Sequence, residues 1–178
     1  MARFIALLRA VNVGGRKLPM AELRDLCAEL GWEDVETYIQ SGNVVFTAPG
    51  EAGAIGTGLE EAIEERFRLD VPVVVRTASQ WADLIAANPF PDVARDEPTR
   101  LQLLLSKRPL DGDAAHRLMA RADAGERVEA AGGALWFHFP AGVGRSKLTP
   151  SLIDRAAGSP STSRNWRTVL KLGEMARA

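Results

Sequence analysis

The stretch RFIALLRAVNVGGRKLPMAELRDLCAEL, residues 3–30, decides the fold because a strand, a polar glycine-containing loop and a helix follow one another within it. The segment RFIALLR is apolar on both faces, which is typical of a central strand. The apolar side chains that then recur at helical spacing are Leu23, Leu26, Cys27 and Leu30. Pro19 is well placed to begin this helix and Gly31 to end it. The stretch therefore predicts a strand followed by a helix.

The next segments continue the same arrangement. VETYIQ (35–40) and NVVFT (43–47) read as two strands of a hairpin that turns at Ser41, Gly42 and Asn43. After the glycine-rich residues 48–58, a helix is predicted from Leu59 to Phe67, and VPVVVR (71–76) reads as a strand. The helix TASQWADLIAA (77–87) begins with Thr77 and Gln80 at capping-box spacing. The predicted order is β-α-β-β-α-β with one more helix.

A second pass of the same order follows the proline-rich connector NPFPDVARDEPT (88–99). RLQLLLS (100–106) reads as a strand, DAAHRLMARA (113–122) as a helix, and RVEAA with ALWFHF as a hairpin across Gly132 and Gly133. TPSLIDRAAG (149–158) and SRNWRTVLKLGEM (163–175) read as helices, and no clear strand precedes the second of them.

Together the two passes predict an α+β protein with two related ferredoxin-like β-α-β-β-α halves, mainly antiparallel sheets and a C-terminal helix. The predicted domains are residues 1–90 and 98–178, within one compact unit.

Chain direction brings two of the predicted loops together. In a split β-α-β unit the loop after the first strand and the hairpin turn emerge at the same end of the sheet, so NVGGRK and SGN should be neighbours. Backbone amides of glycine loops beside a helix start, with Arg9, Arg16 and Lys17, suit an anionic group. No phosphate-loop or dinucleotide fingerprint accompanies them. Flexible turns without a ligand are the alternative interpretation of these loops.

Two further segments carry cations beside predicted helix starts. In GVGRSK (142–147), Arg145 and Lys147 can reach an anion, and in the predicted first turn of the last helix, Arg164 and Asn165 offer donors for a carboxylate or phosphate. The predicted ligand-binding residues are Arg9, Asn12, Gly14, Gly15, Lys17, Ser41, Gly42, Asn43, Arg145, Lys147, Arg164 and Asn165.

Composition excludes several classes of protein. The 22 Lys and Arg balance 23 Asp and Glu, which argues against a surface built wholly for nucleic acid. The lone Cys27 excludes an internal disulfide, and His116 and His138 lack ligand spacing, so no metal or cofactor is predicted. The short apolar run at the N-terminus predicts no membrane segment, and the cytoplasm is the expected location. No set of nucleophile, base and acid is visible, which leaves catalysis and oligomeric state open.

Four motifs resemble a known family. LLRAVNVGGRKLPMAEL, YIQSGNVVF, GRSKLT and TSRNWRTVLKL together are similar to the bacterial family called domain of unknown function 1697, whose members have two related α+β halves and no established activity. The resemblance places these residues on motif positions: Asn12, Gly14, Gly15, Met20, Ser41, Gly42, Asn43, Arg164, Asn165 and Thr168. Ala10 and Val11 stand where members often have Gly and Ile.

Three function classes follow from these features. The first is a domain that binds a small phosphate- or carboxylate-bearing ligand at the glycine loops. The second is a nucleic-acid binder whose basic surface comprises Arg9, Arg16, Lys17, Arg145, Lys147, Arg164 and Arg167. The third is a protein-interaction module without a ligand, in which the glycine loops are only turns.

Overall fold

A computed structural model describes residues 1–177 of the chain. The chain forms two compact units, of which the first runs from Met1 to Ala82 and includes the end of the C-terminal helix from Leu172. The second unit runs from Asp83 to Lys171. The domains predicted at residues 1–90 and 98–178 stay a prediction.

The first unit follows the predicted β-α-β-β-α-β order. Its elements are β1 (Ala2–Leu8), α1 (Met20–Glu29), β2 (Glu33–Tyr38), β3 (Asn43–Ala48), α2 (Ala52–Phe67) and β4 (Val73–Thr77). The strands form one antiparallel sheet in the order β2-β3-β1-β4, which is the ferredoxin-like arrangement. The helix α3 (Ala78–Ala86) follows β4 directly, and its predicted capping box is present between Thr77 and Gln80.

Strand register brings the predicted loops together. Leu7 of β1 lies opposite Asn43 at the start of β3, and Leu8 lies opposite Val73 at the start of β4. The loop after β1, the β2–β3 turn and the segment before β4 therefore share one edge of the sheet. The Leu8 amide donates to the Gly42 carbonyl at 2.8 Å, and Asn12 Nδ2 donates to the Gln40 carbonyl at 2.7 Å, which confirms that NVGGRK lies beside the SGN turn.

The core of the first unit lies between one face of its sheet and the two helices. Residues of this core include Phe4, Ala6, Leu8, Leu23, Cys27, Leu59 and Ile63. Ile5 and Leu7, which alternate with the core residues of β1, are buried as well. Burial on both sides accounts for the continuous apolar run of this strand.

Helix α2 begins earlier than the sequence predicts, inside the glycine-rich segment 48–58. Glycine is a poor helix former, so propensity argues against this start. A Cβ at Gly56 would lie 3.4 Å from the Val73 carbonyl oxygen and from a Val75 methyl group. Glycine at this position lets the helix pack closely against β4, and packing outweighs propensity.

The second unit repeats the sheet. Its elements are α4 (Pro91–Asp96), β5 (Leu101–Ser106), α5 (Ala114–Met119), β6 (Arg127–Ala131), β7 (Ala134–His138), α6 (Pro150–Ala157), β8 (Ser161–Asn165) and α7 (Trp166–Met175). The antiparallel strand order β6-β7-β5-β8 matches that of the first sheet element for element. Two similar ferredoxin-like sheets and a C-terminal helix are thus confirmed.

Two elements of the second unit depart from the prediction. The expectation that no strand precedes the last helix is wrong, because residues 161–165 form β8 and pair with β5. The proline-rich connector 88–99, for which no element was predicted, contains the short helix α4. The helix α6 begins as predicted, with the Thr149 hydroxyl accepting from the Leu152 amide at 3.4 Å, and ends at Gly158, whose φ is 80°.

Each unit makes the same kind of backbone hydrogen bond at the end of its own first strand. The amide of Arg9, just after β1, donates to the carbonyl of Pro72 at 3.0 Å. The amide of Lys107, just after β5, donates to the carbonyl of Pro160 at 2.9 Å. In each unit the proline carbonyl directly precedes the sheet's last strand.

Candidate ligand-binding site

The loop between β1 and α1 is folded back on itself by short-range hydrogen bonds. The Asn12 amide donates to the Arg16 carbonyl at 2.7 Å, and the Arg16 amide donates to the Val13 carbonyl at 3.1 Å. Gly14 and Gly15 between them have φ values of 57° and 83°. Side chains with a Cβ rarely adopt such values, so the backbone conformation favours glycine at both positions. Space around both positions is open, so the need is conformational.

The Asn12 side chain ties this loop to the hairpin turn. Its Nδ2 donates to the Leu18 carbonyl at 3.0 Å and to the Gln40 carbonyl at 2.7 Å, while its Oδ1 accepts from the Leu18 amide at 2.9 Å. Asn12 itself has a φ of 56°. An asparagine side chain thus joins the two loops.

Gly42 is fixed by close packing as well as by conformation. Its φ is 77°, and a Cβ there would lie 2.6 Å from a Val11 methyl carbon and 2.7 Å from the Leu8 Cβ. Asn43 is fully buried, and its Nδ2 donates to the Tyr38 carbonyl at 2.9 Å and to the Ser41 hydroxyl at 3.0 Å. The Asn43 side chain thus stabilises the turn from inside.

A cavity of about 500 Å³ opens where these loops meet the start of α1. It is lined by Asn12, Gly15, Arg16, Lys17, Pro19 and Gln40. Six of the predicted residues, Asn12, Gly15, Lys17, Ser41, Gly42 and Asn43, thus belong to the cavity or to the turn beside it. Arg9 is half-buried and does not line this cavity.

The cavity lining carries two cations and no carboxylate. The Arg16 guanidinium donates to the backbone carbonyl of Asp70, which holds it at the cavity wall. The Lys17 side chain is exposed, and within residues 1–177 its ammonium group has no hydrogen-bond or ion-pair partner. Lys17 is therefore available to an anion from solution.

The two loops contain several residues in a rarely populated backbone region. Besides Asn12 and the glycines, Ala10 has a φ of 52° and Ile39 a φ of 50°. A positive φ is a marked outlier for a β-branched residue such as Ile39. Backbone strain of this kind concentrates at ligand-binding and switching segments of proteins.

Arg145 and Lys147 belong to the second unit. Arg145 ends a short 3₁₀ turn (143–145) and is exposed. The Lys147 ammonium is paired with the Asp123 carboxylate, and this contact raises the pKa of Lys147. The neighbouring Ser146 hydroxyl donates to the Glu126 carboxylate at 2.5 Å. Carboxylates anchor this segment, and they compete with any external anion for Lys147.

Arg164 and Asn165 lie on β8, so their predicted place in the first turn of a helix is wrong. Arg164 is buried, and its Nη1 donates to the Thr162 hydroxyl at 2.8 Å and to the Ser163 carbonyl at 2.7 Å. Burial lowers the pKa of Arg164 to about 10. The Asn165 Oδ1 accepts from the Thr168 amide at 3.1 Å, as an N-cap of α7 does. These contacts give both residues structural roles.

In the part of the chain that the structure describes, neither the Cys27 thiol nor a metal-binding cluster adds a further functional group to the site. Burial raises the pKa of the Cys27 thiol to about 12, which makes it unreactive. Within residues 1–177 no group of three or more His, Cys, Asp and Glu side chains is arranged to hold a metal ion. The cavity residues that the predicted site omits are Arg16, Pro19 and Gln40. Arg16 was predicted only as a source of positive charge for this loop, and Gln40 carries no chemical signal apart from its position before Ser41.

No helix within the described residues is both long enough and apolar enough to cross a membrane.

Fold and cavity together define an α+β protein with two ferredoxin-like sheets and a loop cavity on the first of them. The chain belongs to a family of proteins of unknown function, DUF1697, whose model matches residues 1–136. The resemblance drawn from the sequence motifs is thereby confirmed, although the last two motifs lie beyond the matched residues.

One solved structure shares the whole architecture. It is a conserved bacterial protein, SP0830, from Streptococcus pneumoniae, with a TM-score of 0.72 and 23% sequence identity over 98% of each chain. At this identity the likeness shows the fold alone. No curated protein matches the chain.

Proposed function

We propose that the first unit binds a small anionic ligand, bearing a phosphate or a carboxylate, in the cavity between the β1–α1 loop and the β2–β3 turn. One observation carries the proposal: the exposed Lys17 ammonium lines this cavity beside Arg16, and no carboxylate lines it. A cation without an internal partner gains most from an anion brought in from solution.

The construction of the loops supports the same conclusion. The Asn12 side chain makes hydrogen bonds to backbone groups of both loops, through its amide donor and its carbonyl acceptor. These bonds fix the cavity wall before any ligand binds. Preorganised walls lower the entropic cost of binding. Ile39, next to the cavity-lining Gln40, has a positive φ, and backbone strain of this kind concentrates at ligand-binding segments.

The nucleic-acid alternative is disfavoured by the surroundings of its basic residues. Arg164 is buried and Lys147 is paired with Asp123, so neither contributes freely to a basic surface. Bases stack on exposed aromatic side chains in sheet-based RNA recognition, whereas Phe46 and Phe137 on the two sheets are buried.

One observation favours a protein-interaction role for the same loops. Val13 and Ile39 are each more than half exposed, at 57% and 51%, although both are apolar. Two isolated apolar side chains form a small contact area compared with stable protein interfaces. The anionic ligand is therefore the better-supported function.

A ligand screen followed by a titration tests the proposal. Thermal unfolding of the whole chain is measured with inorganic phosphate, glucose 6-phosphate, AMP and succinate, because a ligand that binds the folded state raises its melting temperature. The compound with the largest shift is then titrated calorimetrically. Lys17→Gln should weaken its binding about tenfold, which corresponds to about 1.4 kcal/mol.

Arg68→Gln is the matched control, because Arg68 is an exposed cation of the same unit outside the cavity. The affinity of the Arg68→Gln variant for the titrated compound should equal that of the unmodified chain. Equal affinities for Lys17→Gln and the unmodified chain, or no stabilisation by any anion, would contradict the proposal.

A further inference from the structure

A second groove lies within the second unit, between α5 and α6. Its volume is about 480 Å³, and it is lined by His116, Arg117, Leu118, Ala120, Arg121, Leu152, Arg155 and Ala156. None of these residues belongs to the loop cavity or to the predicted site. Its lining includes three guanidinium groups, no lysine and no carboxylate.

The three arginines differ in how they are held. Arg117 is fixed in place, because its Nη2 donates to the Ala156 carbonyl at 2.8 Å and lies 3.0 Å from the Asp111 carboxylate. Arg121 and Arg155 are exposed, and their guanidinium groups have no hydrogen-bond or ion-pair partner in the described part of the chain. Arg121, just after the end of α5, and Arg155, on α6, thus face solvent at one groove without an acidic partner among residues 1–177.

The acidic residue next to Arg155 in the sequence is engaged elsewhere. Asp154, which precedes Arg155, accepts from both the amide and the hydroxyl of Ser161, at 2.9 and 2.7 Å. These bonds direct its carboxylate oxygen toward the start of β8. An anion for Arg121 and Arg155 has to come from outside the chain.

The groove also has an apolar floor. Leu152 is half-buried and exposes hydrocarbon at the groove, whereas Leu118 and Ala156 line the groove but are buried. The guanidinium group of an arginine can donate two parallel hydrogen bonds to phosphate oxygens, which the ammonium group of a lysine cannot do. An apolar group carried by the same ligand can cover the floor while the anion binds above it.

We infer that this groove binds an organic phosphate monoester with an apolar or aromatic substituent. Arg121 and Arg155 hold the phosphate, and the substituent lies against the half-buried Leu152. Arg117 joins the two helices and keeps the groove in shape. The inference is independent of the loop cavity, which lies in the other unit.

Phenyl phosphate is a suitable probe because it has both parts. It is titrated by calorimetry and by NMR into the whole chain carrying Lys17→Gln, so that the loop cavity does not contribute its free cation. Arg121→Gln and Arg155→Gln should each weaken phenyl phosphate roughly fivefold to tenfold, since a charge-assisted hydrogen bond at an exposed site is worth less than a buried one. Inorganic phosphate should bind more weakly than phenyl phosphate, because it leaves the apolar floor uncovered.

Arg95→Gln is the control variant, since Arg95 is an exposed cation of the same unit whose partner is the adjacent Asp96. It should leave phenyl phosphate binding unchanged. Arg121 and Arg155 lie at the C-terminal ends of helices, where a cation also interacts favourably with the helix dipole. If Arg121→Gln and Arg155→Gln lower the melting temperature without changing affinity, that stabilising role is the correct one and the inference fails. Tighter binding of a hexaglutamate peptide than of phenyl phosphate would also overturn it, in favour of an acidic protein partner.

Discussion

The side-chain amide of Asn12 donates to the backbone carbonyl of Gln40 at 2.7 Å, which joins two loops that are distant in sequence. The same side chain makes two hydrogen bonds to the backbone of Leu18, at the end of its own loop. One residue therefore sets the position of both walls of the cavity. It does so from a backbone conformation that few residues other than glycine and asparagine adopt readily.

Asn12→Gly should lower the free energy of unfolding by about 2 kcal/mol, since it removes three side-chain hydrogen bonds but tolerates the positive φ. Asn12→Ala should lower it by about 1 kcal/mol more, because alanine also resists that φ. Urea denaturation of both variants measures the difference. An Asn12→Gly variant as stable as the unmodified chain would show that the tie between the loops contributes nothing to stability.

The two glycine substitutions Gly42→Ala and Gly14→Ala should differ sharply. Both residues have positive φ, but only Gly42 has neighbours within 3 Å of the position of a Cβ. Gly14→Ala should cost about 1 kcal/mol from backbone strain alone. Gly42→Ala should cost about 3 kcal/mol, because overpacking against Leu8 and Val11 adds to the strain. Similar midpoints in thermal unfolding would contradict the close approach at the turn.

Asn165 is expected to act as a helix cap. Asn165→Ala should destabilise the chain by about 1 kcal/mol, whereas Asn165→Asp should be nearly neutral because its carboxylate still accepts from the Thr168 amide. Chemical denaturation of the two variants tests this. Equal losses for both substitutions would point to a role beyond capping.

Cys27 makes the free energy of unfolding depend on pH in the alkaline range. Its folded-state pKa is about 12, above the value of about 8.5 for a free thiol, so the unfolded chain releases this proton first. The contribution is fully present below pH of about 8.5 and is lost as pH rises toward 12, at up to about 1.4 kcal/mol per pH unit.

Cys27→Ala provides the comparison for that pH dependence. The difference in unfolding free energy between the unmodified chain and Cys27→Ala should be constant below pH of about 8.5 and should shrink above it. A thiol reagent should modify Cys27 only at the rate at which the core opens. Rapid modification at pH 8 in native conditions would contradict the burial of this side chain.

Most of the fold follows from hydrophobic periodicity, and the exceptions have identifiable causes. Strand β8 has the sequence STSRN, in which Ser161, Thr162 and Arg164 are buried although polar. Such a strand has no alternation of apolar and polar residues to detect. The early start of α2 is hidden for a different reason, because its glycines oppose helix formation locally and only their packing explains them.

The position of the site was predictable, because the direction of the strands alone decides which loops lie side by side. Antiparallel register places the loop after β1 beside the β2–β3 turn, and asparagine and glycine are typical of such turns. The partners of individual cations were not predictable, because Asp123 is far from Lys147 in sequence and the Asp70 carbonyl is far from Arg16. Pairing of this kind depends on tertiary contacts that a local sequence pattern does not encode.

The hydrogen bonds from Arg9 to Pro72 and from Lys107 to Pro160 show that the same strand-to-helix junction is made twice in this chain. The second junction, residues 107–113, closes without any residue of positive φ, whereas the first contains several. The architecture can therefore complete this connection with relaxed backbone. The glycine pair and the positive φ values around Asn12 therefore belong to the first junction alone, and connecting a first strand to its helix does not by itself require them.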